Sequence, residues 1–289
     1  MAEAISPALI AATLMITAAG SPDGPSGTAF LVVRPDKYNY VNPEEHNREG
    51  SLEEGWRIWF ATCAHVVDDI EATGRKTQLR MNEEEPGGGI TTIAMPISHW
   101  TRHPEWKPLW QGSHQRPYRI SDVDHDVAVA IAPTHYERWS SLFQGAWPAH
   151  WQLNRALIER YELHEGNAAL VMGFPEGGWY EGRKDWPLVR SATIAQVRPY
   201  LRENTNTFLI DGNIFPGNSG GPVVADVGAA KTMGTTWYPR HRLIGMVCAM
   251  PISSDGENAG LGVVVSIEKI NEAIDEALRI GIPGTVESQ

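Results

Sequence analysis

Short apolar runs, each closed after a few residues by glycine, proline or a polar turn, dominate this chain and restrict it to an architecture of many short strands. Six such runs fall in the first half, at residues 13–17, 27–33, 56–61, 77–81, 90–97 and 127–132. Six more follow at 168–174, 188–197, 207–211, 221–225, 243–250 and 261–265. With 28 Gly and 20 Pro among 289 residues, breakers recur too often for a coiled coil, and 42% hydrophobic content is too high for a disordered chain. An all-β antiparallel sandwich or barrel is expected. Residues 147–161, where Trp151, Leu157 and Tyr161 recur at roughly helical spacing, predict a linker helix and a domain boundary. A C-terminal helix is predicted at 267–280: Ile267, Ile270, Ile274 and Leu278 mark one face, Ser266 is a good N-cap and Gly281 a stop. No sequence repeat relates the halves.

Charge and cysteine content narrow the function. With 24 Lys and Arg against 35 Asp and Glu, the formal charge of -11 repels phosphates, so neither nucleic acid nor an anionic membrane is the expected partner. Cys63 and Cys248, far apart in sequence, form neither a disulfide framework nor a cysteine zinc site. Apolar residues 8–19 are too few to span a bilayer and are preceded by Glu3 without any Lys or Arg. A cytoplasmic location is the expectation.

Residues 215–222, Phe-Pro-Gly-Asn-Ser-Gly-Gly-Pro, carry the chemistry. Glycines on both sides of Ser219, leading into a strand, describe a tight turn that exposes a hydroxyl and gathers backbone N–H groups around it. A serine nucleophile needs a base, and the base needs an acceptor that fixes its tautomer. His65, in Thr-Cys-Ala-His-Val-Val directly after a strand, and Asp126, abutting the apolar 127–132 run, provide them. Asp122 and Asp124 are the rivals of Asp126, but neither touches that run.

These three segments, in the order His, Asp, Ser, resemble the trypsin-like (chymotrypsin-fold) serine proteases, most closely the bacterial HtrA-like branch. Residues 27–33, 166–177, 209–222 and 262–267 align in character as well, so the resemblance covers most of residues 10–270. It implies two antiparallel Greek-key β-barrels followed by a helix: an N-terminal barrel over 1–148 with His65 and Asp126, a linker helix and second barrel over 149–265 with Ser219, and a helix and tail over 266–289. It implies a serine endopeptidase that cleaves polypeptides through an acyl-enzyme. Ser219 would be the nucleophile, His65 the base and then acid, Asp126 the orienting carboxylate, and the Gly217-Asn218-Ser219 segment the oxyanion hole. Asn218 stands where zymogen-activated relatives carry an aspartate, which implies activity without propeptide cleavage.

By the same resemblance, Asn213, Ile214 and Phe215, with Cys248, Ala249 and Met250, border the specificity pocket. Ile214 and Met250 would make it narrow and apolar, favouring small or medium aliphatic residues, unless Asp211 faces it and turns it basic-selective. The HtrA-like branch usually adds a PDZ domain, whereas the residues after the second barrel here read only as a helix and tail, so a regulatory or targeting partner is a second expectation, as is a protease-fold scaffold that does not cleave. No cofactor or metal is expected: His99, His103, His114, His125 and His135 lie in no zinc motif. The acidic stretches 44–54 and 83–85 read as solvated loops, and Trp100, Trp106, Trp110, Trp139, Trp147 and Trp151 as loop packing.

Overall fold

A computed structural model describes residues 5, 7–21, 24, 26–35, 56–82, 90–108, 120–133, 145–175, 186–202, 205–228, 231–233, 236–252 and 258–281. The acidic stretches, Trp110, Trp139, His114 and His135 lie outside them. The first sheet contains β1 (Thr13–Ala18), β2 (Ser26–Pro35), β3 (Trp56–Thr62), β4 (Thr77–Asn82), β5 (Ile90–Met95), β6 (Thr101–Arg102), β7 (Ala128–Ile131) and β8 (Trp147–Pro148). Its order is β5-β4-β1-β2-β3-β7-β6, all antiparallel, with β8 added parallel to β2. Over the described residues this sheet is a half-barrel, open between β5 and β6.

The second sheet is formed by β9 (Ala168–Gly173), β10 (Leu188–Gln196), β11 (Thr207–Asp211), β12 (Pro222–Asp226), and, after a hairpin of β13 (Lys231–Met233) and β14 (Thr236–Tyr238), β15 (His241–Ala249) and β16 (Leu261–Ser266). It closes as β10-β11-β16-β15-β12-β9. Closure satisfies every edge, and the strand period of two then divides its apolar residues between two destinations. Val171, Val223, Val247 and Val264 fill the barrel's own core. Their neighbours Met172, Val224, Cys248 and Val265 point the other way, into a core shared with the first sheet. Burial on both faces is why β12, β15 and β16 read as nearly unbroken apolar runs, whereas β10 alternates buried and exposed positions.

The C-terminal helix spans Ile267–Ile280, as its periodicity predicts. Ile267, Ile270, Ala273, Ile274 and Ala277 are buried in the core of the first sheet, although the helix follows the last strand of the second. Arg34 of β2, itself buried, donates to Asn271 O at 2.6 Å and pairs with Asp275 on the helix. Ser266 occupies the N-cap position, yet its side chain makes no capping bond and its buried Oγ has no partner among the described residues, so the helix start is fixed by packing instead. The linker region is less helical than its spacing predicts. Only Arg155–Arg160 forms an α-helix, capped by Asn154 Oδ1 on Leu157 N at 2.9 Å, while Trp147 is drawn into β8. Among the described residues no helix is long and apolar enough to cross a membrane.

Candidate active site

Asp126 is fully buried, two residues ahead of β7, and one residue occupies both its oxygens. Oδ1 accepts the His65 backbone N–H at 2.9 Å, and Oδ2 lies 2.6 Å from His65 Nδ1. The first bond has a local cause. His65 sits in the first turn of a helix, Ala64–Ala72, whose leading N–H groups have no partner within the helix and whose N-cap, Cys63, supplies none through its side chain. A carboxylate there also meets the positive end of the helix dipole. Since a carboxylate only accepts, the ring proton resides on Nδ1 and the lone pair on Nε2. One side chain thus caps a helix and sets the tautomer of the histidine on it.

The His65 side chain is 20% exposed. Burial pulls its pKa down, but the charge and hydrogen bond of Asp126, with Asp69 and Asp68 behind it, outweigh burial and leave it above the ordinary value of 6.5. Asp68 and Asp69 lie on this same helix, which the sequence does not predict. Trp106 Nε1 holds Asp68 Oδ2 at 2.9 Å, and Arg102 pairs with Asp68 Oδ1 at 2.5 Å. Trp106 and Trp100 are therefore packed, as expected, Trp100 donating to Thr77 Oγ1 at 2.9 Å.

Ser219 lies on the turn before β12. Gly217 and Gly220 have φ of 92° and 88°, in the region that glycine alone enters freely. A Cβ on Gly220 would stand 1.8 Å from Thr28 O, so the turn can close on β2 only as glycine. Thr28 is the docking point: its N–H donates to Ser219 O at 2.8 Å, and its Oγ1 donates to Gly217 O at 2.8 Å and accepts from Phe174 N at 3.1 Å. Its carbonyl accepts from Thr62 Oγ1 at 2.7 Å. Nothing in the sequence distinguished this threonine from any other strand residue, because its partners on the second sheet lie about 150 to 190 positions away.

The two halves of the site meet at Gly27. A Cβ there would lie 2.9 Å from both methyls of Val66, the neighbour of His65, and 3.0 Å from Ser219 O. Among the described residues no hydrogen bond joins Ser219 Oγ to His65. Of the expected oxyanion segment, Asn218 is a correction: its N–H is spent on Phe215 O at 3.0 Å, which shapes the turn. Among the described residues, the N–H groups of Gly217 and Ser219 find no acceptor within the chain.

Pocket residues divide likewise. Ile214 exposes only 2% of its surface, closed into the barrel core against Ile210 and Gly262, so it is not an open wall. Cys248 is buried toward the first sheet, its thiol donating to Val263 O at 3.4 Å, which leaves only its backbone for a pocket. Asn213 and Phe215 are both covered by one side chain: Arg190 reaches Asn213 O at 3.4 Å and lies 4.9 Å above the Phe215 ring. Ala249 is buried and Met250 packs partly on the second core. Asp211 is exposed at the end of β11.

Cys63, beneath the site, donates its thiol to Val247 O at 3.2 Å. Among the described residues, Cys63, His65 and Asp126 form the only cluster whose ligand atoms converge, within 4.8 Å of one another. His103 and His125 stack at 4.7 Å, but their nearest carboxylates are separate, Glu272 at 3.0 Å and Glu105 at 3.4 Å.

A closed barrel facing a half-barrel, with histidine and carboxylate on one and a glycine-flanked serine on the other, defines the chymotrypsin fold. A profile of the trypsin-like peptidase domain matches residues 27–230, and the chain belongs to that family. Among solved structures it is similar to the HtrA-type protease AlgW with tripeptide, at 16% identity and TM-score 0.48, over 94% of this chain and 62% of that one. It is also similar to the thermostable serine protease AL20 from an extremophilic microorganism, at 13% identity and TM-score 0.48, over 95% of this chain and 100% of that one. The chain thus spans 62% of the length of AlgW. No curated protein matches it.

Proposed function

We propose that the protein is a serine endopeptidase in which Ser219 attacks the peptide carbonyl, His65 Nε2 takes and returns the proton, and Asp126 orients the imidazole and stabilises its charged form. The observation that carries this reading is the two-point bond from His65 to Asp126, which leaves Nε2 as the only free base on the ring. The N–H groups of Gly217 and Ser219 supply the oxyanion hole, each such donor contributing about 3 kcal/mol to the transition state. Alignment of Ser219 Oγ on Nε2 completes as substrate binds, as it commonly does in this chemistry. An aliphatic preference fits an apolar border of Ala249 and Met250 with Asp211 turned to solvent.

The missing serine–histidine bond favours a second reading, a protease fold that waits on a partner or does not cleave. A fluorophosphonate probe separates the two. The endopeptidase reading expects labelling of the wild type and none of Ser219→Ala. Absence of Ser219-dependent labelling with any partner or peptide added would establish the second reading instead.

A further inference from the structure

The face of His65 opposite its free nitrogen gathers three groups that can also ligate a metal ion. The Cys63 sulfur, a ring nitrogen of His65 and a carboxylate oxygen of Asp126 lie within 4.8 Å of one another, and Nδ1 is the nitrogen turned toward Asp126. We propose that these three residues form an inhibitory site for a thiophilic divalent cation of the zinc type, which regulates the proposed peptidase; this rests on the function proposed above.

Chemistry and geometry both support the set. Thiolate, imidazole and carboxylate are the zinc donors, with bonds of about 2.0 to 2.3 Å, which place ligand atoms about 3.3 to 3.7 Å apart in a tetrahedron. Cys63 must approach by about 1 Å and the Nδ1–Oδ2 pair open from 2.6 Å by somewhat less. Charge also balances. Among the described residues, buried Asp126 has no ion-pair partner except a protonated His65, and an ion held by one carboxylate and one thiolate is neutral overall. Binding releases the Cys63 proton to solvent and shifts the ring proton from Nδ1 to Nε2. A ring ligated through Nδ1 carries its hydrogen on Nε2 and cannot accept the serine proton, so the ion inhibits by taking the tautomer that Asp126 otherwise fixes. Without metal, burial and the neighbouring Asp126 charge keep the Cys63 thiol protonated, far above its ordinary range. Entry is from the His65 side, the one part of the cluster open to solvent.

The test has two arms on the full chain. Co2+ reports thiolate ligation directly through a sulfur-to-metal charge-transfer absorption, whether or not the protein cleaves anything. The wild type, Ser219→Ala and Cys248→Ala should each bind about one Co2+ with that absorption, and Cys63→Ala and Cys63→Ser should lose it. No thiolate absorption in the wild type, or one that survives both Cys63 variants, overturns the site. In the second arm, Zn2+ should suppress fluorophosphonate labelling of Ser219 reversibly on chelation, with the half-inhibiting concentration raised about tenfold or more in Cys63→Ala. Unchanged zinc sensitivity in Cys63→Ala also overturns it. If no labelling occurs even without metal, the peptidase reading fails while the cobalt arm still decides the site.

Discussion

At the scale of the residue, Asp126 carries more of the site than its place in the motif implies. Its two oxygens hold the backbone and the ring of the same histidine, so position and tautomer of His65 depend on one carboxylate. The raised pKa of His65 has two consequences of opposite sign. Catalysis needs the neutral ring, so Ser219 labelling should rise with pH through a midpoint above 6.5, and a midpoint below 6.5 would contradict the environment described. Stability runs the other way: a group whose folded pKa is raised stabilises the fold fully below its unfolded value, near 6.5, and that contribution fades as pH climbs through the folded value. Asp126→Asn should remove the pH-dependent stabilisation and slow labelling by a factor on the order of 10^3 to 10^4, measured as labelling rate and urea midpoint across pH 5 to 9.

At the scale of the element, the C-terminal helix belongs in sequence to the second barrel and in packing to the first. Ile270 and Ile274 are fully buried beside β7, the strand that follows Asp126, and Arg34 ties the same helix to β2. Ile274→Ala should therefore cost about 2 to 5 kcal/mol, read from the shift in urea midpoint. Arg279→Ala, on the exposed face where Arg279 pairs among the described residues with Glu276 alone, should leave that midpoint unmoved. The periodicity of this helix was legible because packing repeats every three to four residues along it. The helix that begins beside His65 was not, because Ala64–Ala72 follows a strand directly and takes its cap from Asp126, some sixty positions on.

At the scale of the whole molecule, neither half holds a complete site. The serine turn of the closed barrel is docked on β2 through Thr28, and the alternate residues Met172, Val224, Cys248 and Val265 are buried in the core of the first sheet. The two sheets should therefore unfold together: urea transitions followed by tryptophan fluorescence and by far-ultraviolet circular dichroism should coincide, whereas two separated midpoints would show that the sheets unfold independently. Sequence alone determined the all-β class, twelve of the sixteen strands among the described residues and the C-terminal helix, and it singled out His65, Asp126 and Ser219 as the candidate trio, since each rests on local periodicity or on a short motif. Tertiary structure alone decided that Thr28 docks the serine turn, that Ile214 is closed into the core, and that Cys63 stands with His65 and Asp126. Those facts depend on contacts between residues far apart in the chain, where the direction of a side chain is set by the closure of a barrel and not by its neighbours in sequence.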